Sequence, residues 1–176
     1  MLHILGMGWA LPKTEISNDF LHKQVGLERG QDWVDSRLGI DRRYSVLSQE
    51  YILKTKNRNP QQAVLHARSL GETPVTMAVR AGKMALEHAG VRPHQVGMVL
   101  ANNDTPFEMI PSTANLVAKA LGIPGGFHSD QNSACSSFAL HMYTLGRMNE
   151  KKIPEFILTL QCAAYTTRID YSPKSI

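Results

Sequence analysis

Hydrophobic and polar positions change period repeatedly along this chain, and the changes predict strands alternating with helices. Leu2 to Ala10 is an apolar run with two glycines that stops at Pro12, as a buried first strand would. Ser17 is placed to cap a short helix that runs through Val25 and closes at Gly26. Asp32 to Leu38 predicts one or two further helical turns, with Gly39 just past the end. The stretch 46–70 reads as a largely helical insertion. In it Tyr51, Ile52 and Leu53 precede a polar run from Lys54 to Asn59, and a second segment starts at Pro60.

The best-marked helix comes next. Thr73 stands at its cap, Pro74 at its first position and Gly90 beyond its end, with Val75, Val79, Leu86 and Ala89 at helical spacing. Val96 to Ala101 is apolar on both faces, as strands of parallel sheets are. A loop is expected over 102–111, then a helix from Ser112 to Leu121 ended by Gly122. A short strand over 126–130, a helix over 136–150 and a buried strand over 156–164 complete the pattern. The alternation predicts an α/β fold with a mainly parallel sheet.

Composition narrows the class. A hydrophobic fraction of 43% and a charged fraction of 19% are those of a globular chain, and 176 residues suffice for one sizeable domain. No apolar run reaches the roughly 18 residues of a membrane span, and the N-terminus lacks the marks of a signal peptide. Two cysteines build no disulfide framework, so a cytoplasmic location is expected. A net charge of +4 permits an acidic partner. The basic residues do not alternate with aromatics, and no helix-turn-helix or zinc-finger spacing occurs, so nucleic acid is not the expected partner. The seven histidines are scattered and predict no metal site. Gly6-Met7-Gly8 lacks the further glycine of a dinucleotide fingerprint, because Leu11 occupies that place.

Chemistry concentrates in Asp130-Gln131-Asn132-Ser133-Ala134-Cys135-Ser136-Ser137-Phe138. Cys135 falls where a strand turns into a helix, and the free amides and dipole of a helix N-terminus favour a thiolate there. Small neighbours let the backbone turn sharply and let a substrate approach. Such a thiolate suits acyl transfer through a thioester, with the Cys135 amide as one oxyanion donor. Taken alone, Cys135 reads more readily as a small buried hydrophobe, which is what most free cysteines are. Cys162, inside an apolar strand, reads as structural.

The segment Asp130 to Phe138 resembles the active-site segment of ketoacyl-acyl-carrier-protein synthase III and its relatives. Trp33, Arg37, Gly39 and Ile40 resemble the family's Trp-x-x-x-Arg-x-Gly-Ile segment. Gly6-Met7-Gly8 near Leu11-Pro12 resembles its N-terminal strand, and Ile110-Pro111-Ser112 with Leu121-Gly122-Ile123 resembles the segment ahead of the cysteine. The resemblance implies the first half of a thiolase-like α-β-α-β-α layered fold over residues 1–176, with the C-terminal half absent and 46–70 longer than the usual loop. It implies a homodimer and a complementary half that carries a catalytic His and Asn.

By the same resemblance Cys135 accepts an acyl group from acyl-CoA or acyl carrier protein, and no resident cofactor takes part. A malonyl thioester then condenses on it with loss of CO2, in fatty acid or polyketide biosynthesis. Trp33 matches the residue that stacks on the adenine of CoA. Arg37 matches one that contacts CoA or the phosphopantetheine arm, and Ile110 matches one that reaches the acyl pocket across the dimer. Other readings are transfer to an oxygen or nitrogen acceptor, giving an ester or amide, and a non-catalytic subunit of a split synthase.

Overall fold

A computed structural model describes residues 2–27 and 36–173. In chain order the strands are β1 (Thr14–Ser17), β2 (Arg42–Ser45), β3 (Val96–Asn103), β4 (Phe127–Asp130) and β5 (Phe156–Cys162). The helices are α1 (Gln49–Thr55), α2 (Pro60–Ser69), α3 (Pro74–Ala89), α4 (Thr113–Leu121) and α5 (Ser137–Arg147). Two compact units result, one of Met1–Ala10 with Pro74–Ala163 and one of Leu11–Thr73 with Ala164–Ile176.

The first unit is an α/β layer built on β3. This strand is apolar on both faces, so it needs a neighbour on each edge and a cover on each side. β4 and β5 pair with it in parallel, in the order β4-β3-β5. On one face Val99 and Ala101 of β3, with Leu158 and Leu160 of β5, meet Ala78 and Leu86 of α3 and Ala114, Val117 and Ala118 of α4. On the other, Met98 and Leu100 pack with Leu145 of α5 and its neighbours Met142 and Met148. From Met98 to Ala101, alternation along β3 therefore divides its side chains between two helical layers.

The helix ends follow from their sequence. Ser112 Oγ accepts the Asn115 amide at the start of α4. At the far end Gly122 has φ 72°, and the Ile123 amide reaches back to the Ala118 carbonyl at 2.9 Å. The end of α3 repeats the device: Gly90 has φ 66°, and the Val91 amide bonds the Leu86 carbonyl at 3.0 Å. Only glycine adopts that left-handed conformation without cost, which is why both stop signals were readable. β3 runs two residues past its expected end, taking in Asn102 and Asn103.

The expected first strand is a correction. Residues 2–10 form no strand, and Ile4, Leu5, Met7 and Trp9 are exposed. The two glycines explain the placement. A Cβ at Gly6 would strike the backbone at Ala85 and Ala89, and one at Gly8 the backbone at Ala81 and Ala85. Two residues of extended chain advance about 6.7 Å and four residues of helix about 6 Å, so the arm keeps step with an alanine ridge of α3. The glycines make this seat on the helix, and the apolar side chains around them stay exposed.

In the second unit β1 and β2 form an antiparallel ribbon, with Ile16 opposite Arg43. The ribbon was not expected, because four-residue strands of mixed polarity carry too little periodicity to stand out. Ser17 ends β1 and accepts the Phe20 amide at 3.1 Å, so the predicted cap is present; the turns it starts include a π-helical segment, Phe20–Val25. The stretch 46–70 is largely helical, as expected, and contains α1 and α2. Asn57 ties it to the segment after β5, donating to the carbonyls of Thr166 and Ile169 at 3.1 and 2.7 Å. Of the helical turns expected over Asp32 to Leu38, residues 36–38 are helical and the rest lie outside the described residues.

Gly8→Ala is expected to destabilise the protein by about 1–3 kcal/mol, the usual cost of overpacking. Urea denaturation measures it. An unchanged midpoint would show that the arm does not seat on α3.

Candidate active site

In open parallel sheets, ligands bind beyond the carboxyl ends of the strands. Here those ends are polar, whereas the bodies of β3 and β5 are largely apolar. Asn102 and Asn103 end β3, Asp130 ends β4 with Gln131 next, and Gln161 and Cys162 end β5. The register aligns Ala101 with Asp130, Asn102 with Gln161 and Asn103 with Cys162, so these residues lie side by side.

Hydrogen bonds tie the strand ends to the helices that follow them. The Asp130 carboxylate accepts the amides of Thr113 and Ala114, each at 2.8 Å, at the N-terminus of α4. That placement satisfies two orphan donors and sets a negative charge against the positive end of the helix. Asn103 donates to Thr113 Oγ1 at 3.1 Å and accepts the Thr105 amide at 3.1 Å, which holds the chain leaving β3.

Cys135 is exposed on a 3-10 turn, Ala134–Ser136, that leads directly into α5. The turn is held at several points. Asn132 Oδ1 accepts the Ala134 amide at 2.8 Å, while Asn132 Nδ2 donates to the Asn103 carbonyl at 3.4 Å. The fully buried Ser137 hydroxyl accepts the Ser133 amide at 2.7 Å and donates to the Ala134 carbonyl at 2.8 Å. The bonds that close the turn use the amides of Ser136 and Ser137, and neither uses that of Cys135. Ala134 carries φ 48°, a left-handed conformation that costs a non-glycine residue roughly 1–2 kcal/mol. The surrounding bonds hold it in place.

The second thiol differs in each respect. Cys162 lies in β5 and donates to the Asn102 carbonyl at 3.1 Å. Burial pushes its thiol up to about 12, and the carboxylates of Asp130 and Asp104 add to the effect. It is a packed, protonated side chain, in line with the structural reading.

Three further candidates are Ile110, Arg37 and Trp33. Ile110, 88% exposed, lies in the loop between β3 and α4. Arg37 is exposed and belongs to the other compact unit. Trp33 lies outside the described residues. No cluster of His, Cys, Asp or Glu among the described residues could hold a metal ion, and no helix among them is long and apolar enough to cross a membrane.

The sequence reading missed the polar stripe on the inner face of α5. Ser137 and His141 are both fully buried, one helical turn apart, and Leu145 continues the stripe. His141 Nε2 lies 3.0 Å from the Gln131 carbonyl, and its Nδ1 lies 3.0 Å from Gln161 Nε2. The available signal was this i, i+4 spacing of two polar residues on a face whose next member is apolar. Burial lowers the pKa of His141, partly opposed by its bond to the Gln131 carbonyl.

No family model matches the chain. It is 31% identical over 145 residues to a beta-ketoacyl-[acyl-carrier-protein] synthase III from Jannaschia, a match over 82% of this chain and 37% of that protein. A synthase III from Clostridium perfringens is 32% identical over 144 residues, covering 82% of this chain and 36% of that one. Among solved structures, a 3-oxoacyl-[acyl-carrier-protein] synthase III from Aquifex aeolicus superposes with a TM-score of 0.76 at 25% identity, over 98% of this chain and 48% of its own. A priming beta-ketosynthase of a polyketide pathway gives 0.74 at 26% identity, over 98% and 45%. The chain thus spans less than half the length of these relatives.

Two outcomes are expected here. Iodoacetamide at pH 8 adds a single adduct, on Cys135, which a Cys135→Ala variant loses; equal labelling of Cys162 would contradict the contrast between the thiols. A His with a lowered folded pKa contributes stability that is complete above the unfolded value near 6.5 and is lost as pH falls below it. The thermal midpoint is therefore expected to drop between pH 7 and 5, and to drop less in His141→Gln. Equal slopes in the two proteins would remove His141 as the cause.

Proposed function

We propose that this chain, a relative of the beta-ketoacyl-[acyl-carrier-protein] synthase III proteins with the fold of part of them, is the acyl-accepting portion of a condensing acyltransferase. One observation carries the reading. The exposed Cys135 sits on a tight turn at the polar ends of a parallel sheet and at the start of a helix, whereas the other thiol is packed away.

In this reading the Cys135 thiolate attacks the carbonyl carbon of an acyl thioester, supplied by acyl-CoA or an acyl carrier protein. The new carbon–sulfur bond forms as the donor's breaks, and the departing thiolate takes up the proton that Cys135 gave up. The Cys135 amide, which the turn does not use, is the candidate donor to the developing oxyanion. A malonyl thioester then loses CO2, and its α-carbon attacks the acyl-Cys135 carbonyl. This releases the Cys135 thiolate and a β-ketoacyl thioester. In this reading no bound cofactor takes part in these steps.

The His and Asn that would assist decarboxylation are assigned to a complementary C-terminal half, and the working assembly to a homodimer. Trp33 and Arg37 are the proposed contacts to CoA or the phosphopantetheine arm, with a flat face for a base and a fork of donors for phosphate. Ile110, exposed on its loop, is the proposed contact to the acyl chain across the dimer.

The test is incubation of the protein carrying this chain with a short acyl-CoA, followed by mass spectrometry and then by malonyl thioester. The expected result is a mass increase equal to the acyl group on Cys135, then its discharge with formation of a β-ketoacyl product. No acylation, or the same acylation in Cys135→Ala, would overturn the reading. Acylation followed by transfer only to an alcohol or amine would replace condensation with ester or amide formation.

A further inference from the structure

The segment that presents Cys135 starts where the sheet stops. Gln131 follows the last residue of β4, and its amide still bonds the Ala101 carbonyl of β3 at 2.8 Å. Its own carbonyl lies one residue beyond the last pair of the β3–β4 ladder. His141 supplies the donor from one helical turn into α5, Nε2 to carbonyl at 3.0 Å. Thr144, three residues on, donates to Gln131 Oε1 at 3.2 Å. Gln161, at the end of the opposite edge strand β5, donates through its amide to His141 Nδ1 at 3.0 Å.

These partners assign the imidazole tautomer. A carbonyl beside Nε2 requires a proton there, and an amide donor beside Nδ1 requires a lone pair there. The buried ring therefore links the ends of β4 and β5, two strands that do not touch because β3 lies between them. Leu145, next along the same helical stripe, packs on Met98 and Leu100 of β3. An apolar residue at 141 would extend that packing and would leave the Gln131 carbonyl without its donor.

We propose that His141 is a positioning residue for the Cys135 nucleophile: by holding the Gln131 carbonyl it fixes where the segment 131–135 delivers the thiol and the Cys135 amide. The inference rests on the reading of Cys135 as acyl acceptor and adds a residue that never touches the substrate. Ser137, one turn earlier, clamps the turn itself through Ser133 and Ala134. The inner face of α5 thus grips the segment at its entry and at its bend.

Attack on a thioester needs the thiolate and the oxyanion donor placed together, whereas alkylation by iodoacetamide needs only the thiolate. A loss of placement separates the two reactions. The test compares the parent protein with His141→Leu, His141→Gln and Gln161→Leu. Cys135 acylation by butyryl-N-acetylcysteamine and Cys135 alkylation by iodoacetamide are both followed by mass spectrometry. Labelling of Cys162 in the same spectra reports loosening of the sheet.

His141→Leu is expected to slow acylation at least about tenfold, the scale of a small misplacement of reacting groups. Alkylation should stay within about threefold, since the thiol remains exposed. His141→Gln, whose amide nitrogen takes the place of Nε2, should restore most of the acylation rate. Gln161→Leu, which removes the donor that orients the ring, should fall between.

Equal acylation in the parent and His141→Leu would overturn the proposal, as would equal slowing of acylation and alkylation, or no rescue by Gln. If His141→Leu exposes Cys162 to labelling, Gln161→Leu decides on the same criterion, a selective loss of acylation. No Cys135 acylation in the parent itself would instead overturn the acyl-acceptor reading.

Discussion

The structure depends on one requirement: β3 is apolar on both faces and must be kept dry on both. Val99 and Ala101 on one side and Met98 and Leu100 on the other are fully or almost fully buried. A strand of this kind is stable only between two others and under two helical layers. The alternating order of strands and helices supplies both. The carboxyl ends of the strands are where that requirement lapses, and there the side chains become amides and a carboxylate.

The placement of Cys135 follows from the same geometry. A nucleophile at the end of an interior-facing strand would be largely packed away, as Cys162 is. A nucleophile on a helix would lack free amides beside it. The short turn between β4 and α5 avoids both, at the cost of a strained residue. Ala134 in a left-handed conformation costs roughly 1–2 kcal/mol, and hydrogen bonds inside a protein contribute about 1 kcal/mol each. The bonds from Asn132 and Ser137 suffice to offset the strain.

Much of this was legible in the sequence, for identifiable reasons. α3 and α4 carry strong end signals, because a cap and a left-handed glycine act over three or four residues that any reader can see. β3 and β5 carry long apolar runs. The Cys135 turn announced itself by its small residues. The arm over 2–10 was misread because an apolar run suggests burial in a sheet, whereas here the apolar side chains are exposed and the glycines make the contact. Gly6 and Gly8 face the alanines of α3. The β1–β2 ribbon was too short and too polar to register. The role of His141 was hidden because its partners Gln131 and Gln161 come together only through the sheet, ten and twenty residues away in the chain.

The separation of apolar strand bodies from polar strand ends in β3 and β5 has an evolutionary consequence. Free-energy changes at sites that share no partner add almost independently. Substitutions that retune what the strand ends bind or react with leave the packing beneath them untouched, so a lineage can explore new chemistry there without first gaining stability elsewhere. His141 is an exception to that freedom, as is Asp130, whose carboxylate holds the start of α4. His141 stands in the packed layer and serves the strand ends, so a change there must satisfy both at once.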